Sequence, residues 1–159
     1  MKVQNKGRIN PVKICFVSSS GGHLEELLSL RPLMNKYDSF ILTEKTPFSP
    51  SLDGVRTYYM KQVNRKEIGF IPYMIYNLVQ SIRVYIIEKP DVVISTGVLA
   101  VIPICLYTKM RKGRVIFIET FANTASPTKT GKFVYRFADR FYVYWESMLA
   151  FYPDAICIH

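Results

Sequence analysis

Acidic residues are scarce in this chain: 12 Asp and Glu stand against 21 Lys and Arg in 159 residues, leaving a formal net charge of +9. The partners such a balance favours are anionic, either nucleic acid or an anionic membrane surface. Cysteine is scarcer still. Cys15, Cys105 and Cys157 lie far apart with no CxxC pair, which argues against a disulfide scaffold and a cysteine-rich zinc site and suits a reducing, cytoplasmic setting. No metal and no cofactor is expected. The full GxGxxG pattern is absent, and only Glu44 stands where a second strand could offer an acidic ribose ligand, so a dinucleotide is not favoured. Internal repeats, low-complexity tracts and clear linkers are missing too. With 49% hydrophobic and 21% charged residues the chain can bury a core, and its length suits one domain over residues 1–159.

Long uncharged runs are also lacking. Residues 68–87 carry Asn77, Gln80 and Arg83, and residues 92–108 hold no charge but include Gly97 and Pro103. A membrane span needs about 20 predominantly apolar residues, so a buried or interfacial role is expected for both. The basic N-terminus is followed only by ICFV before SSSGG, which is no signal-peptide core.

What is present alternates. Residues 12–18 read as a strand, 23–34 as a helix with Glu25 and Glu26 in its first turn, and 39–43 and 55–59 as strands. Ile75, Leu78, Val79, Ile82 and Ile86 share one face of a helix that ends at Pro90-Asp91. Residues 92–95 are a buried strand, and 98–107 a helix broken or kinked near Pro103. Residues 115–119 are a strand, 130–138 a short helix, 140–144 a strand and 155–158 a last one. Strands alternating with helices give an α/β fold, a parallel Rossmann-like sheet covered on both faces.

Ligands of such sheets sit beyond the carboxyl ends of the strands. Three segments fall there. Ser18 to His23 joins the first strand to the first helix; its glycines admit close approach of a ligand, and His23 can act as acid, base or donor. Ser95-Thr96-Gly97 ends a buried strand, and Glu119 opens the run Glu119-Thr120-Phe121-Ala122-Asn123. A carboxylate at the end of an apolar strand must face a cleft or be hydrogen-bonded. Each feature also has a plain structural use: strand-to-helix turn, helix cap or packing glycine. His159 at the chain end is read as inert.

The cations cluster. Lys109, Arg111, Lys112 and Arg114 follow the most apolar segment, Lys2, Lys6, Arg8 and Lys13 crowd the N-terminus, and Lys129, Lys132, Arg136 and Arg140 mark a later helix. No nucleic-acid motif accompanies them, so no nucleic acid partner is expected. Lysines beside apolar, tyrosine-rich segments fit an anionic membrane surface, against a plain solvated basic face.

SSSGGHLEELLSL (18–30), DVVISTG (91–97), IFIETFA (116–122), TGKFVYRFADRFYVYW (130–145) and DAICI (154–158) occur in this order over nearly the whole chain. Together they resemble the acceptor-side subunit of the split, two-chain UDP-sugar glycosyltransferases. That group includes the membrane-recruiting subunit of the transferase that adds the second GlcNAc to dolichol-linked sugar, and the PssD/CpsF-type proteins of exopolysaccharide and capsule assembly. Both are similar to the N-terminal half of MurG-type GT-B enzymes. The resemblance implies a separate donor-binding glycosyltransferase subunit as partner, a polyprenyl-linked saccharide acceptor, and peripheral attachment to the inner face of the cell membrane. By motif match it places Gly21, Gly22 and His23 in the family's acceptor loop and Glu119 at the Glu of its ESFA-like motif. With the reading of the residues above, Ser20, Gly21, Gly22, Thr96 and Gly97 are acceptor-binding candidates, His23 and Glu119 catalytic candidates, and Lys109, Arg111, Lys112 and Arg114 the membrane contacts. Thr120 stands where the family often has Ser, Asn123 where it often has Arg, and Ser19 where the eukaryotic form has glycine. A non-catalytic membrane adaptor and an unrelated nucleotide-binding Rossmann-like protein remain the alternatives.

Overall fold

Apolar residues on both faces bury Lys13–Ser18 (β1) from both sides: Ile14 and Phe16 join one core cluster, Cys15 and Val17 the other. The computed structural model describes residues 11–47, 52–62, 70–97 and 99–158. β1 lies between Asp38–Glu44 (β2) and Val92–Ser95 (β4). Arg56–Met60 (β3) flanks β2, and Arg114–Ile118 (β5), Arg140–Val143 (β6) and Ile156–Cys157 (β7) continue beyond β4. The order β3-β2-β1-β4-β5-β6-β7 is parallel throughout, the α/β sheet read from the alternation. Its order reverses between β1 and β4, so a crevice opens at their carboxyl ends, where Ser18–Gly22 and Ser95–Gly97 leave the sheet.

The helices depart from the sequence reading in three places. The single helix over 23–34 is two, Gly22–Leu28 (α1) and Arg31–Lys36 (α2). Pro32 is the cause: it has no N–H to donate and is tolerated only in a first turn, so the chain stops, turns at Ser29-Leu30 and restarts. Pro103 likewise falls in the first turn of Ile102–Met110 (α4), after a short 3-10 turn at Leu99–Val101, and does not kink a longer helix; Val98 lies outside the described residues. The helix expected over 130–138 is Lys129–Tyr135 (α5), capped by the Thr128 hydroxyl, which accepts from Gly131 N–H at 2.8 Å.

The helix expected before Pro90-Asp91 is Phe70–Glu88 (α3). Its apolar stripe lies on one face, as the spacing predicts, and that face is turned away from the protein: Ile75, Val79 and Ile86 are 56%, 58% and 62% exposed. The side chains α3 presents to the sheet are Asn77, Ser81, Val84 and Glu88. Asn77 accepts from Lys61 N–H at 2.9 Å and donates to the Lys61 carbonyl at 2.7 Å. The Ser81 hydroxyl donates to the Ala100 carbonyl, and Glu88 accepts from Lys13 Nζ and from the Tyr58 hydroxyl at 2.6 Å. By length and composition α3 could cross a membrane, so Asn77, Gln80 and Arg83 do not by themselves exclude a span. What lays it along the sheet is this row of polar bonds, not a shortage of hydrophobic residues. Ile68 is outside the described residues.

Candidate functional site

The turn after β1 is built for close approach. Gly21 has φ +73, a backbone conformation that L side chains rarely adopt, and it starts α1 with its carbonyl accepting from Leu24 N–H at 2.9 Å. His23 follows in the first turn, and its carbonyl accepts from the Thr96 hydroxyl at 2.8 Å. The imidazole lies over Gly97, where a Cβ would come within 3.7 Å of its Cε1. The β1 and β4 loops therefore fix His23 from two sides.

His23, Thr96, Gly97 and Glu119 meet around one cleft of about 190 Å³, as the three segments at the carboxyl ends of the strands were expected to do. Glu44, Phe70, Met74, Leu99, Ala100 and Thr128 to Thr130 complete its wall. Ser20, Gly21 and Gly22 shape the turn without lining the cleft among the described residues. Glu44 accepts from both Ser20 N–H, at 3.3 Å, and the Ser20 hydroxyl, at 3.1 Å, so this carboxylate is tied to the turn. A cleft of this size is below the ~300–1,000 Å³ of a site that encloses a drug-sized ligand. It suits one face of a ligand with another surface closing over it.

Glu119 is 2% exposed. The Thr128 hydroxyl lies 3.1 Å from each of its carboxylate oxygens, the Tyr152 hydroxyl donates to Oε2 at 2.7 Å, and Asn123 Nδ2 donates to Oε1 at 3.3 Å. Burial, and then the hydrogen bond to Glu119, push the Tyr152 phenol well above its ordinary range, so it stays a donor. This carboxylate is saturated by donors and fastens the loop between β5 and α5. Gly131 belongs to the same knot: a Cβ there would collide with Glu119 Oε2 and lie 2.6 Å from the Tyr152 hydroxyl and 2.8 Å from Thr128 Oγ1. Gly131→Ala is therefore expected to destabilise the fold by roughly 1–3 kcal/mol, the usual cost of overpacking. A lower denaturant midpoint at unchanged slope would register it; an unmoved midpoint would mean the knot yields freely.

The basic group sits at the other end of the sheet, at the turn from α4 into β5. Two of its four members are engaged. Lys109 and Arg114 both contact Asp139 Oδ1, at 2.7 and 3.0 Å, while Val115 N–H donates to Oδ2 at 2.8 Å. Burial works to raise the Asp139 carboxyl, but these donors together outweigh it and hold it below its ordinary value. Arg111 and Lys112 are exposed and carry no ion pair among the described residues. The cluster expected to act as a unit is thus half a structural clamp. Of the N-terminal cations, Lys2, Lys6 and Arg8 lie outside the described residues, and Lys13 pairs with Glu88 at 3.0 Å.

One apolar groove joins the cleft to the outer face of α3. Met74, Leu99 and Ala100 line both the cleft and an apolar groove made with Ile75, Leu78, Ile102 and Pro103. Farther along, Ile82, Tyr85, Ile86, Tyr107 and Met110 form a second depression flanked by Lys89 and Arg111. Lys61 lies over the rings of Tyr73 and Tyr76, 4.9 and 5.2 Å from their centroids.

Comparison with known proteins bears on this arrangement. The family model described as "Oligosaccharide biosynthesis protein Alg14 like" matches residues 44–158. The "UDP-N-acetylglucosamine transferase subunit ALG14" of Rattus norvegicus is 22% identical, with 90% of this chain and 80% of the rat protein covered. The Homo sapiens protein of the same name is also 22% identical, over 91% of this chain and 81% of its own. MurG of Acinetobacter baumannii shares the fold with a TM-score of 0.67 at 17% identity, covering 86% of this chain and 43% of MurG. The UDP-N-acetylglucosamine 2-epimerase of Rickettsia bellii gives the same TM-score at 14% identity, over 90% of this chain and 41% of the epimerase. The chain spans about two fifths of either structure, and at these identities the likeness is one of fold alone.

Proposed function

The chain belongs to the Alg14-like family of oligosaccharide biosynthesis proteins, and from that premise we propose that it is the acceptor-side, membrane-recruiting subunit of a two-chain UDP-sugar glycosyltransferase. The observation that carries this reading is the continuity of a cleft of mixed polar and apolar lining at the strand ends with an apolar groove along α3, through Met74, Leu99 and Ala100. A lipid-linked saccharide has that form, a sugar joined to a long hydrocarbon. The sugar occupies the cleft beside His23, Thr96 and Gly97 while the hydrocarbon stays with the membrane against α3 and α4.

In the reaction a hydroxyl of the acceptor sugar attacks C1 of the donor sugar and UDP leaves. His23 takes the hydroxyl proton at its cleft-facing nitrogen. Glu119 holds the loop carrying Thr128 to Thr130 against the cleft and does not exchange a proton. The donor is bound by a separate subunit that closes over the carboxyl end of the sheet. The finer assignment, a PssD/CpsF-type protein acting on a polyprenyl-linked acceptor in exopolysaccharide or capsule assembly at the inner face of the cell membrane, rests on the run SSSGGHLEELLSL and the motif order.

Membrane attachment is peripheral and led by α3. An Ile or Val contributes about 1.5–3 kcal/mol when fully buried, so five side chains more than half exposed (Ile71, Ile75, Val79, Ile86 and Ile87) add roughly 5 kcal/mol on insertion. Arg111 and Lys112 add about 1 kcal/mol each at an anionic surface. The apolar part dominates, so salt weakens the attachment without abolishing it. The test is sedimentation with anionic vesicles, plain or doped with a polyprenyl-linked saccharide. Doped vesicles are expected to retain the chain more tightly. Equal retention on both would contradict acceptor binding, and full release by salt would contradict insertion.

A further inference from the structure

We propose that Glu26 is the positioning residue for His23, setting the tautomer that leaves the cleft-facing ring nitrogen free to accept a proton; this rests on the reading of His23 given under Proposed function. Glu26 stands three residues after His23 in α1, on the same helix face. Its two carboxylate oxygens are in different situations. Oε1 accepts from the Thr120 hydroxyl at 3.0 Å and from Phe121 N–H at 2.8 Å, which pins the carboxylate to the loop after β5. Oε2 is buried without a hydrogen-bond partner. His23 Nδ1 is also buried without one, and the two atoms lie 3.9 Å apart.

Two buried polar atoms of opposite need, facing one another with nothing else to bind, identify a pair that closes on a small rotation of the ring. The imidazole side chain is 34% exposed although Nδ1 is covered, so its exposure lies on the rest of the ring, toward the cleft His23 lines. With Nδ1–H donating to Glu26 Oε2, Nε2 carries the lone pair, as a proton acceptor must. The carboxylate also steadies the charge that develops on the ring when the acceptor hydroxyl gives up its proton. The neighbouring carboxylates cannot do this: Glu44 is tied to Ser20, and Glu119 to Thr128 and Tyr152.

Glu26→Gln separates this role from a structural one. The amide oxygen takes over the contacts to Thr120 and Phe121, and the amide NH₂ faces Nδ1 as a donor, which moves the ring proton to Nε2. The chain has two histidines, His23 and His159, so a spectrum with 15N-labelled histidine is readily assigned. The wild-type neutral ring of His23 is expected to be protonated at Nδ1 and that of Glu26→Gln at Nε2, measured on the chain without any transfer assay. In the two-chain complex the variant is expected to lose about 10²-fold or more in kcat, with the acceptor KM within about twofold, and His23→Ala/Glu26→Gln is expected to be no slower than His23→Ala. A tautomer that does not respond to the substitution overturns the role of Glu26, as do losses that multiply in the double variant. Normal transfer by His23→Ala overturns instead the reading of His23 as the base, so the two failures are distinct.

Discussion

His23→Ala is expected to lower kcat of the assembled two-chain complex by 10² to 10⁴-fold, the usual contribution of a positioned general base. At about 1.36 kcal/mol per decade this is roughly 3–5 kcal/mol of transition-state stabilisation. The loss should fall on the chemical step. The His23 main chain keeps its bond from Thr96, and the ring is a third exposed, so its removal leaves neither an unpaired strand nor a closed core cavity. Thermal stability and association with the donor subunit are accordingly expected to be near normal. A rate within a few-fold of wild type would make the chain an adaptor without a catalytic group. Comparison with Glu119→Gln sharpens the point. That substitution disturbs a buried carboxylate holding Thr128, Asn123 and Tyr152, so it should lower stability together with rate. A large rate loss for Glu119→Gln at full stability, with His23→Ala mild, would reverse the two roles.

The second large effect concerns α3. Ile75→Glu/Val79→Glu/Ile86→Glu is expected to abolish sedimentation with anionic vesicles. Each change removes about 1 kcal/mol of apolar insertion and places a like charge against an anionic surface, so the three together exceed the roughly 2 kcal/mol that Arg111 and Lys112 supply. The fold should tolerate them, because all three side chains are exposed and α3 is held by Asn77, Ser81 and Glu88 from its other face. Transfer to a membrane-borne acceptor should then collapse while transfer to a short, water-soluble acceptor survives in the same complex. Retained vesicle binding would place the membrane contact elsewhere. Loss of transfer to both acceptors would show that α3 serves something other than recruitment.

The same helix shows where sequence and structure part. Periodicity reports that Ile75, Leu78, Val79 and Ile86 share a face, but not which way the face looks. Only the partners of Asn77 and Ser81, which are Lys61 backbone and the Ala100 carbonyl, decide that the polar side packs inward. The strands were legible because burial on both faces demands continuous apolar runs such as ICFV and VVIS. The division at Pro32 was legible in principle, since proline inside a helical pattern marks a restart. The cleft residues His23, Thr96, Gly97 and Glu119 were legible because the topology puts every strand's carboxyl end on one side. Their chemistry was less so. Nothing local tells that Glu119 meets Tyr152, or that Asp139 claims Lys109 and Arg114 from a cluster that looks free in the sequence. Glu26 could have been singled out by its place three residues after His23. Its partners Thr120 and Phe121 lie 94 and 95 residues away along the chain and had no sequence signal.

If this chain supplies one half of a transferase site at a membrane, it is inactive without the other half. The direct measurement is release of UDP from a UDP-sugar with a polyprenyl-linked saccharide in vesicles, using this chain alone, the donor-binding subunit alone, and the two together. Turnover is expected from the mixture and negligible turnover from either chain by itself. Robust transfer by this chain alone, or by the donor-binding subunit at the same rate without it, would show that the site is not divided between the two.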